Sequence, residues 1–148
     1  MEKNKDKQTH ENRIDYEPKS VNRFRVEFSL PEIPNWSVKS ITKPVLSLYS
    51  EKEEWMPMTI EFCDFIAPSI SQIWFIHIKD GVKNGTENYS VKFYIYMLDP
   101  VGIEVEKWEI DAKLLEIDFG RANYYASDEN NKVILRVVVK PIDCILRY

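Results

Sequence analysis

Glycine is scarce in this chain, with four in 148 residues, and cysteine and histidine occur only twice each. So few glycines exclude the loops that cradle phosphates, which need backbone N–H groups crowded together without Cβ atoms, and no G-x-S-x-G nucleophile elbow occurs. Cys63 and Cys144 are far apart and form no C-x-x-C spacing. Neither a disulfide framework nor a redox motif is expected, and they read as two buried free thiols of a reducing compartment. His10 lies in a charged stretch and His77 on an apolar stripe. With no second histidine, cysteine or spaced carboxylate beside it, His77 reads as a satisfied core or interface imidazole, so no metal or other cofactor is expected. Long apolar runs are also missing. Nothing approaches the roughly 20 residues of a membrane span, and "MEKNKDKQTH" has no apolar centre for a signal peptide. Synthesis in a cytoplasm and no membrane anchor are the expectations. The last absence is clustered positive charge: 20 Lys and Arg against 24 Asp and Glu leave a net charge of -4 with the signs interspersed. A surface that grips nucleic acid would need clustered cations to displace counterions.

What is present favours strands. Hydrophobic residues make up 44% and aromatics 13%, a balance that suits one β-rich domain. Residues 1–20 hold five basic and five acidic side chains, with Ile14 and Tyr16 the only sizeable apolar groups after Met1. Such a segment cannot offset its ordering entropy alone and reads as a flexible arm, able to reach on the order of 60 Å when extended. Residues 21–148 form the domain. "NRFRVEFSL" alternates Phe24, Val26, Phe28 and Leu30 against Arg25, Glu27 and Ser29, a half-buried strand. "EIPNWSVKSIT" predicts a second, with Trp36 and Val38 in step, stopped by Pro44. "VLSLYSEKEEWMPMTIEFCDF" predicts a long hairpin with a charged tip at Glu51 to Glu54 and a return strand carrying Met58, Ile60 and Phe62.

The spacing of Ile70, Ile73, Trp74 and His77 predicts one helix in "APSISQIWFIHIKDGVKNG". Pro68 suits its first turn, Ser69 with Gln72 makes a capping-box pattern, and Gly81, Asn84 and Gly85 are stop signals. Phe75, Ile76 and Ile78 leave little of its circumference polar, which implies burial on two sides or partial strand character. Two later strands are apolar on both faces: Val91, Phe93, Ile95 and Met97 against Tyr94, Tyr96 and Leu98, and Val133, Leu135, Val137 and Val139 against Ile134, Arg136 and Val138. Two-sided strands imply packing against the helix or another chain.

Between them lies "DPVGIEVEKWEID". Its carboxylates invite a glycosidase reading, but that chemistry needs two carboxyls about 5 to 9.5 Å apart in a cleft, and carboxylates along a strand are ordinarily a solvated face. No enzyme is expected. Asp99, Pro100 and Gly102 make a turn, and the strand that follows holds Val105 and Trp108 at opposite parity; a bulge near Lys107 would reunite them.

The first strand, the charged hairpin, the single short helix and "YMLDPVGIEVEKWEIDAKLLEIDF" with a final strand resemble the tail-tube proteins of contractile-tailed bacteriophages, a family related in fold to the type VI secretion tube protein. The most specific piece is D-x-x-G followed by W-E-I-x-A, here Asp99, Gly102, Trp108, Glu109, Ile110 and Ala112, with Asp111 where the family often has Gly. The resemblance covers about residues 21–146 in element order more than identity. It implies a β-sandwich or barrel-like fold with one flanking helix, a long hairpin and an extended N-terminal arm. Six copies would form a ring and rings would stack into the inner tube of a phage tail, a structural virion component assembled in the host cytoplasm. Sheath, baseplate and tail-terminator proteins are the implied partners, and genomic DNA would pass without specific binding. Tyr49, Glu51, Lys52, Glu53, Glu54, Trp55, Tyr94, Tyr96 and Trp108 are the expected inter-subunit residues; Glu104, Glu106, Glu109 and Asp111 are candidates to face the lumen. A baseplate protein that initiates the tube, and a free-standing β-sandwich binding module, are the alternatives.

Overall fold

The computed structural model describes residues 17–49, 52–83 and 89–148. The chain is mainly β, with one helix and a curled, nearly closed antiparallel sheet. Strands β1 (Phe24–Leu30), β2 (Val38–Ile41), β3 (Leu46–Ser47), β4 (Glu54–Trp55) and β5 (Met58–Cys63) precede helix α1 (Ile70–Lys83). Strands β6 (Ser90–Leu98), β7 (Glu104–Asp118) and β8 (Ile134–Leu146) follow it. The main sheet runs β1-β6-β7-β8-β5-β2, so β1 and β2 are its edges. They flank a seam lined by Phe24, Val26, Trp36 and Val38.

Period-two alternation puts one residue set inside. Val26, Phe28, Met58, Ile60, Phe62, Val91, Phe93, Ile95, Ile110, Ala112, Leu114, Leu135, Val137 and Val139 are all buried in one core. α1 closes that core with Ile70 and Trp74, both fully buried. The Trp74 ring packs edge-on to Phe62 at 5.7 Å and Phe28 at 6.2 Å, while Phe28 stacks on Phe93 at 5.1 Å. The helix is covered on one side only: Phe75 and Ile76 are exposed.

Several expectations need correction. Trp36 lies not in a strand but in a short 3-10 turn, Asn35–Ser37, exposed and edge-on to Phe65 at 4.7 Å. The hairpin is longer than expected and starts earlier. Ile41 pairs with Ile60 and Leu46 with Trp55 in one continuing register, so β2 and β3 form one arm and β4 and β5 the other. The equal spacing places Pro44 opposite Pro57, and neither can donate to the ladder, which interrupts there. Pro68 stands ahead of the helix, whose first residue is Ile70. Ser69 does cap it, accepting from the Gln72 N–H at 3.2 Å, but the larger cap is Asp64. Asp64 accepts from the N–H groups of Ile70 (2.8 Å) and Phe65 (2.9 Å) and from the Ser71 hydroxyl (2.6 Å).

No bulge sits at Lys107. Trp108 shares its face with Ile110 and Glu106, and the irregularity opposite β6 falls at Val105. Against β8, β7 slips between Asp111 and Ala112 and between Leu114 and Glu116, leaving Ile142 and Leu115 without partners. Pro141, beside the first slip, has no N–H to give the ladder, which is why a bulge tolerates it. Both unpaired residues are exposed. The D-x-x-G turn has a local cause: Asp99 Oδ1 accepts from the N–H groups of Val101 (3.0 Å) and Ile103 (2.8 Å), and Gly102 adopts a φ of +89° that side chains rarely take. Cys63 and Cys144 are unbridged and half-buried.

Trp74→Ala should cost about 3–5 kcal/mol in urea denaturation, because its cavity is ringed by aromatic side chains that cannot collapse into it. Asp64→Ala should cost about 1–2 kcal/mol. Burial would raise the Asp64 pKa, but the donors from Ser71, Ile70 and Phe65 outweigh it and hold the carboxyl below its usual value. Its stabilisation is therefore present above the unfolded pKa and lost as pH falls through the folded one. The wild-type and variant curves should converge in acid; a constant gap down to the lowest pH would contradict the capping role.

Candidate assembly surface

Two clusters gather most of the residues singled out by sequence. The first ties the hairpin to β7. Glu106 is the centre: its side chain is 7% exposed and lies on the Trp108 side of the strand. Lys19 donates to Oε1 at 2.6 Å, Lys43 approaches Oε2 at 2.5 Å, and the Trp108 indole N–H donates to Oε2 at 2.8 Å. Burial would raise the Glu106 pKa, but these three donors hold it low. Trp55 of β4 meets Trp108 edge-on at 6.1 Å, and Lys140 of β8 bonds Glu54 at 2.9 Å and the Trp55 carbonyl. The N-terminal segment, the hairpin and the central strand thus converge on one carboxylate.

The second cluster covers the outer face of β1, β6 and β7. Register places Glu27, Tyr94 and Glu109 in one row and Arg25, Tyr96 and Lys107 in the next. The Arg25 guanidinium lies 4.5 Å over the Tyr96 ring, and the Lys107 ammonium lies 5.2 Å from the Tyr94 ring centre and 5.6 Å from that of Tyr96. Glu104 accepts from Arg25 and from the Tyr148 hydroxyl at 3.0 Å; burial opposes its ionisation, and these donors outweigh burial and lower its pKa. Glu109 pairs with Arg147 at 2.9 Å and Asp111 lies 3.7 Å from Lys92. Cations and rings cover Tyr96, so the second apolar face of β6 is closed by this layer rather than by the helix.

Of the lumen candidates, Glu104, Glu109 and Asp111 lie on this outer face, while Glu106 is turned inward. Each is matched by a cation, which makes the surface a mosaic rather than an acidic wall. Tyr49 and Glu53 are exposed at the hairpin end, and Glu51 lies outside the described residues, as do residues 1–16 of the arm. Sequence reasoning missed Lys43, Arg25, Arg147 and Tyr148, which come from three separate segments; only the alternation of Arg25 with core residues hinted at its outward position. His77 holds the Ser90 carbonyl at 2.9 Å and packs edge-on to Trp74, a structural role. Among the described residues no cluster of His, Cys, Asp or Glu is arranged to hold a metal, and no helix is long and apolar enough to cross a membrane.

Glu106→Gln should lower stability by about 1–3 kcal/mol at neutral pH, because three charge-assisted contacts weaken together. The folded pKa of Glu106 is depressed, so the penalty should be full above its unfolded pKa and vanish as pH falls through the folded one. Equal stability of variant and wild type at pH 7 would contradict the convergence.

No protein-family profile matches the chain, and no curated protein matches it significantly. Solved structures do. A chain of the anti-feeding prophage baseplate, described as sixfold symmetrised, is similar at 15% identity and a TM-score of 0.55, covering 90% of this chain and 97% of that one. A chain of the sheath–tube complex of PVC, an extracellular contractile injection system, is similar at 15% identity and a TM-score of 0.62, over 90% of this chain and 93% of that one. A chain of the PVC sheath/tube terminator reaches 14% identity and 0.62, over 92% of this chain and all of that one. This chain therefore shares a fold with components of contractile injection systems over about nine-tenths of its length.

Proposed function

We propose that this chain is the tube subunit of a contractile tail or injection apparatus, a structural protein without catalysis. Copies form sixfold rings that stack into a hollow conduit. The observation that carries this reading is mutual coverage: nine-tenths of this chain matches nine-tenths or more of chains from three contractile-system assemblies. The edges β1 and β2 support it too, since each has a neighbour on one side only and an assembly would cover them. Residues 1–20 act as an arm and 21–148 as the ring-forming body. Sheath, baseplate and terminator proteins are its partners.

The baseplate likeness favours a second reading, a tube initiator of the same fold built once per particle. Copy number separates the two: a tube subunit recurs along the whole tail. The passenger is proposed to be DNA, which a conduit must let slide. A net charge of -4 and the cation-matched carboxylates of the outer face suit a wall without affinity for phosphates.

Purified protein should form rings or stacked tubes with a central channel in negative-stain images; a stable monomer at millimolar concentration would overturn the reading. Deleting residues 1–20 should leave rings that stack poorly. Assembled tubes should show no measurable affinity for duplex DNA at physiological salt. Tight binding that weakens steeply with salt would rule out the conduit.

A further inference from the structure

The Glu106 carboxylate holds two cations at once, and they come from different segments. Lys19 belongs to the strap of residues 17–22 ahead of β1, and Lys43 to the hairpin arm between β2 and β3. Their ammonium groups sit on separate oxygens of the carboxylate, at 2.6 Å and 2.5 Å, and the Trp108 indole N–H shares Oε2 at 2.8 Å. The Glu106 side chain is buried, whereas those of Lys19 and Lys43 keep 52% and 42% of their surface. Among the described residues neither lysine pairs with another carboxylate. One negative charge therefore faces two positive ones. Two ammonium groups on the oxygens of one carboxylate are close enough to repel each other, and beside a buried group that repulsion is poorly screened. Each lysine is drawn to Glu106 and pushed off it by the other.

The two segments differ in what else holds them. Beside Lys43 the hairpin is laced across its arms: the Thr42 N–H donates to the Thr59 carbonyl at 3.0 Å, the Thr59 N–H to the Thr42 hydroxyl at 2.9 Å, and the Met56 N–H to the Val45 carbonyl at 2.9 Å. In the strap the bonds are local. The Arg23 N–H donates to the Ser20 carbonyl at 3.2 Å, the Ser20 hydroxyl to Asn22 Oδ1 at 2.6 Å, and Arg23 pairs with Glu17 at 3.2 Å. The strap is fixed to the sheet at its far end, where the Arg23 carbonyl accepts from the Leu98 N–H at 2.8 Å. Lys19 ties it across to β7.

We propose that Glu106 is a competitive latch: loss of Lys19 from the carboxylate tightens the hold on Lys43, and loss of Lys43 tightens the hold on Lys19. The strap, with fewer other ties, lets go first, and whatever draws it away leaves the hairpin more firmly seated. The strap and the hairpin are thus released one at a time. Such coupling is reciprocal, and it belongs to the single chain whether or not copies assemble.

The test is limited trypsin digestion of the full chain, with cleavage after Lys19 and after Arg136 followed by mass spectrometry. Cleavage after Lys19 tracks how often the strap is open, and cleavage after Arg136, within β8, reports global unfolding. Glu106→Gln should speed cleavage after Lys19 by on the order of tenfold. Lys43→Met should slow it by on the order of threefold, whereas Lys43→Arg, which keeps the charge, should leave it near the wild-type rate. In the reciprocal arm, Lys19→Met should slow hydrogen exchange of the Thr42 and Met56 amides. A carboxylate that merely braced the structure would give the opposite sign, because removing one lysine would loosen what remains. An unchanged Lys19 rate in Glu106→Gln would overturn the latch, as would a Lys43→Met variant that leaves or raises the Lys19 rate while Arg136 cleavage is unchanged. If Arg136 cleavage rises in Lys43→Met as well, the Lys19→Met exchange decides: slower exchange supports the latch, and equal or faster exchange overturns it.

Discussion

A curled antiparallel sheet can bury one face only if something fills the volume it encloses, and here that is one indole ring. Trp74 comes from the only described helix and reaches Phe28 of β1 and Phe62 of β5, strands that lie near opposite edges of the sheet. The ring is what makes the two halves of the sheet share one core. Asp64 matters for the same reason, because by tying down the first turn of the helix it sets the depth at which Trp74 enters. Everything outside follows from a core closed on one side: the second face of the sheet must be covered by side chains alone, and the outer face of α1 stays uncovered.

The outer face solves that problem with charge. Arg25 and Lys107 lay their stems and heads across Tyr94 and Tyr96, and Glu104 and Glu109 fix those cations in turn. Such pairs are individually weak when exposed, but a lattice of them over aromatic rings gives a firm polar skin over an apolar strand. Glu106 is different because it is buried. With Lys19, Lys43 and Trp108 around it, it joins the described N-terminal residues and the hairpin to the body.

Much of the fold was legible because alternation has one meaning when a strand's partner is a core. The inward residues of β5 and β6 follow period two, as do those of β1 and β8 apart from Leu30, which lies past a register shift, and Val133, which precedes β8, both exposed; the 3.6-residue spacing of Ile70, Ile73, Trp74 and His77 separated the helix from strands despite its β-branched content. Trp36 misled because an apolar residue in step with Val38 looks inward, yet its neighbours Pro34 and Asn35 favour a tight turn. The bulge expected near Lys107 falls at Val105, against β6, and the two slips against β8 had no signal in β7, because Pro141 disrupts the ladder from the partner strand. The candidate surface was legible only in part. Tyr94, Tyr96, Trp55 and Trp108 stood out as large aromatic groups, but their cationic partners come from distant segments and are ordinary surface residues until the fold brings them together.

β1 and β2 are the edges of the sheet, and the proposed assembly requires that neighbouring copies cover them. Hydrogen exchange of the same protein in its dissociated and assembled forms measures this directly. The account predicts that the outward-facing amides of β1 and β2 exchange rapidly in the dissociated subunit and become protected on assembly, while the core strands β7 and β8 stay protected throughout. Edge amides that exchange equally fast in both forms would contradict it.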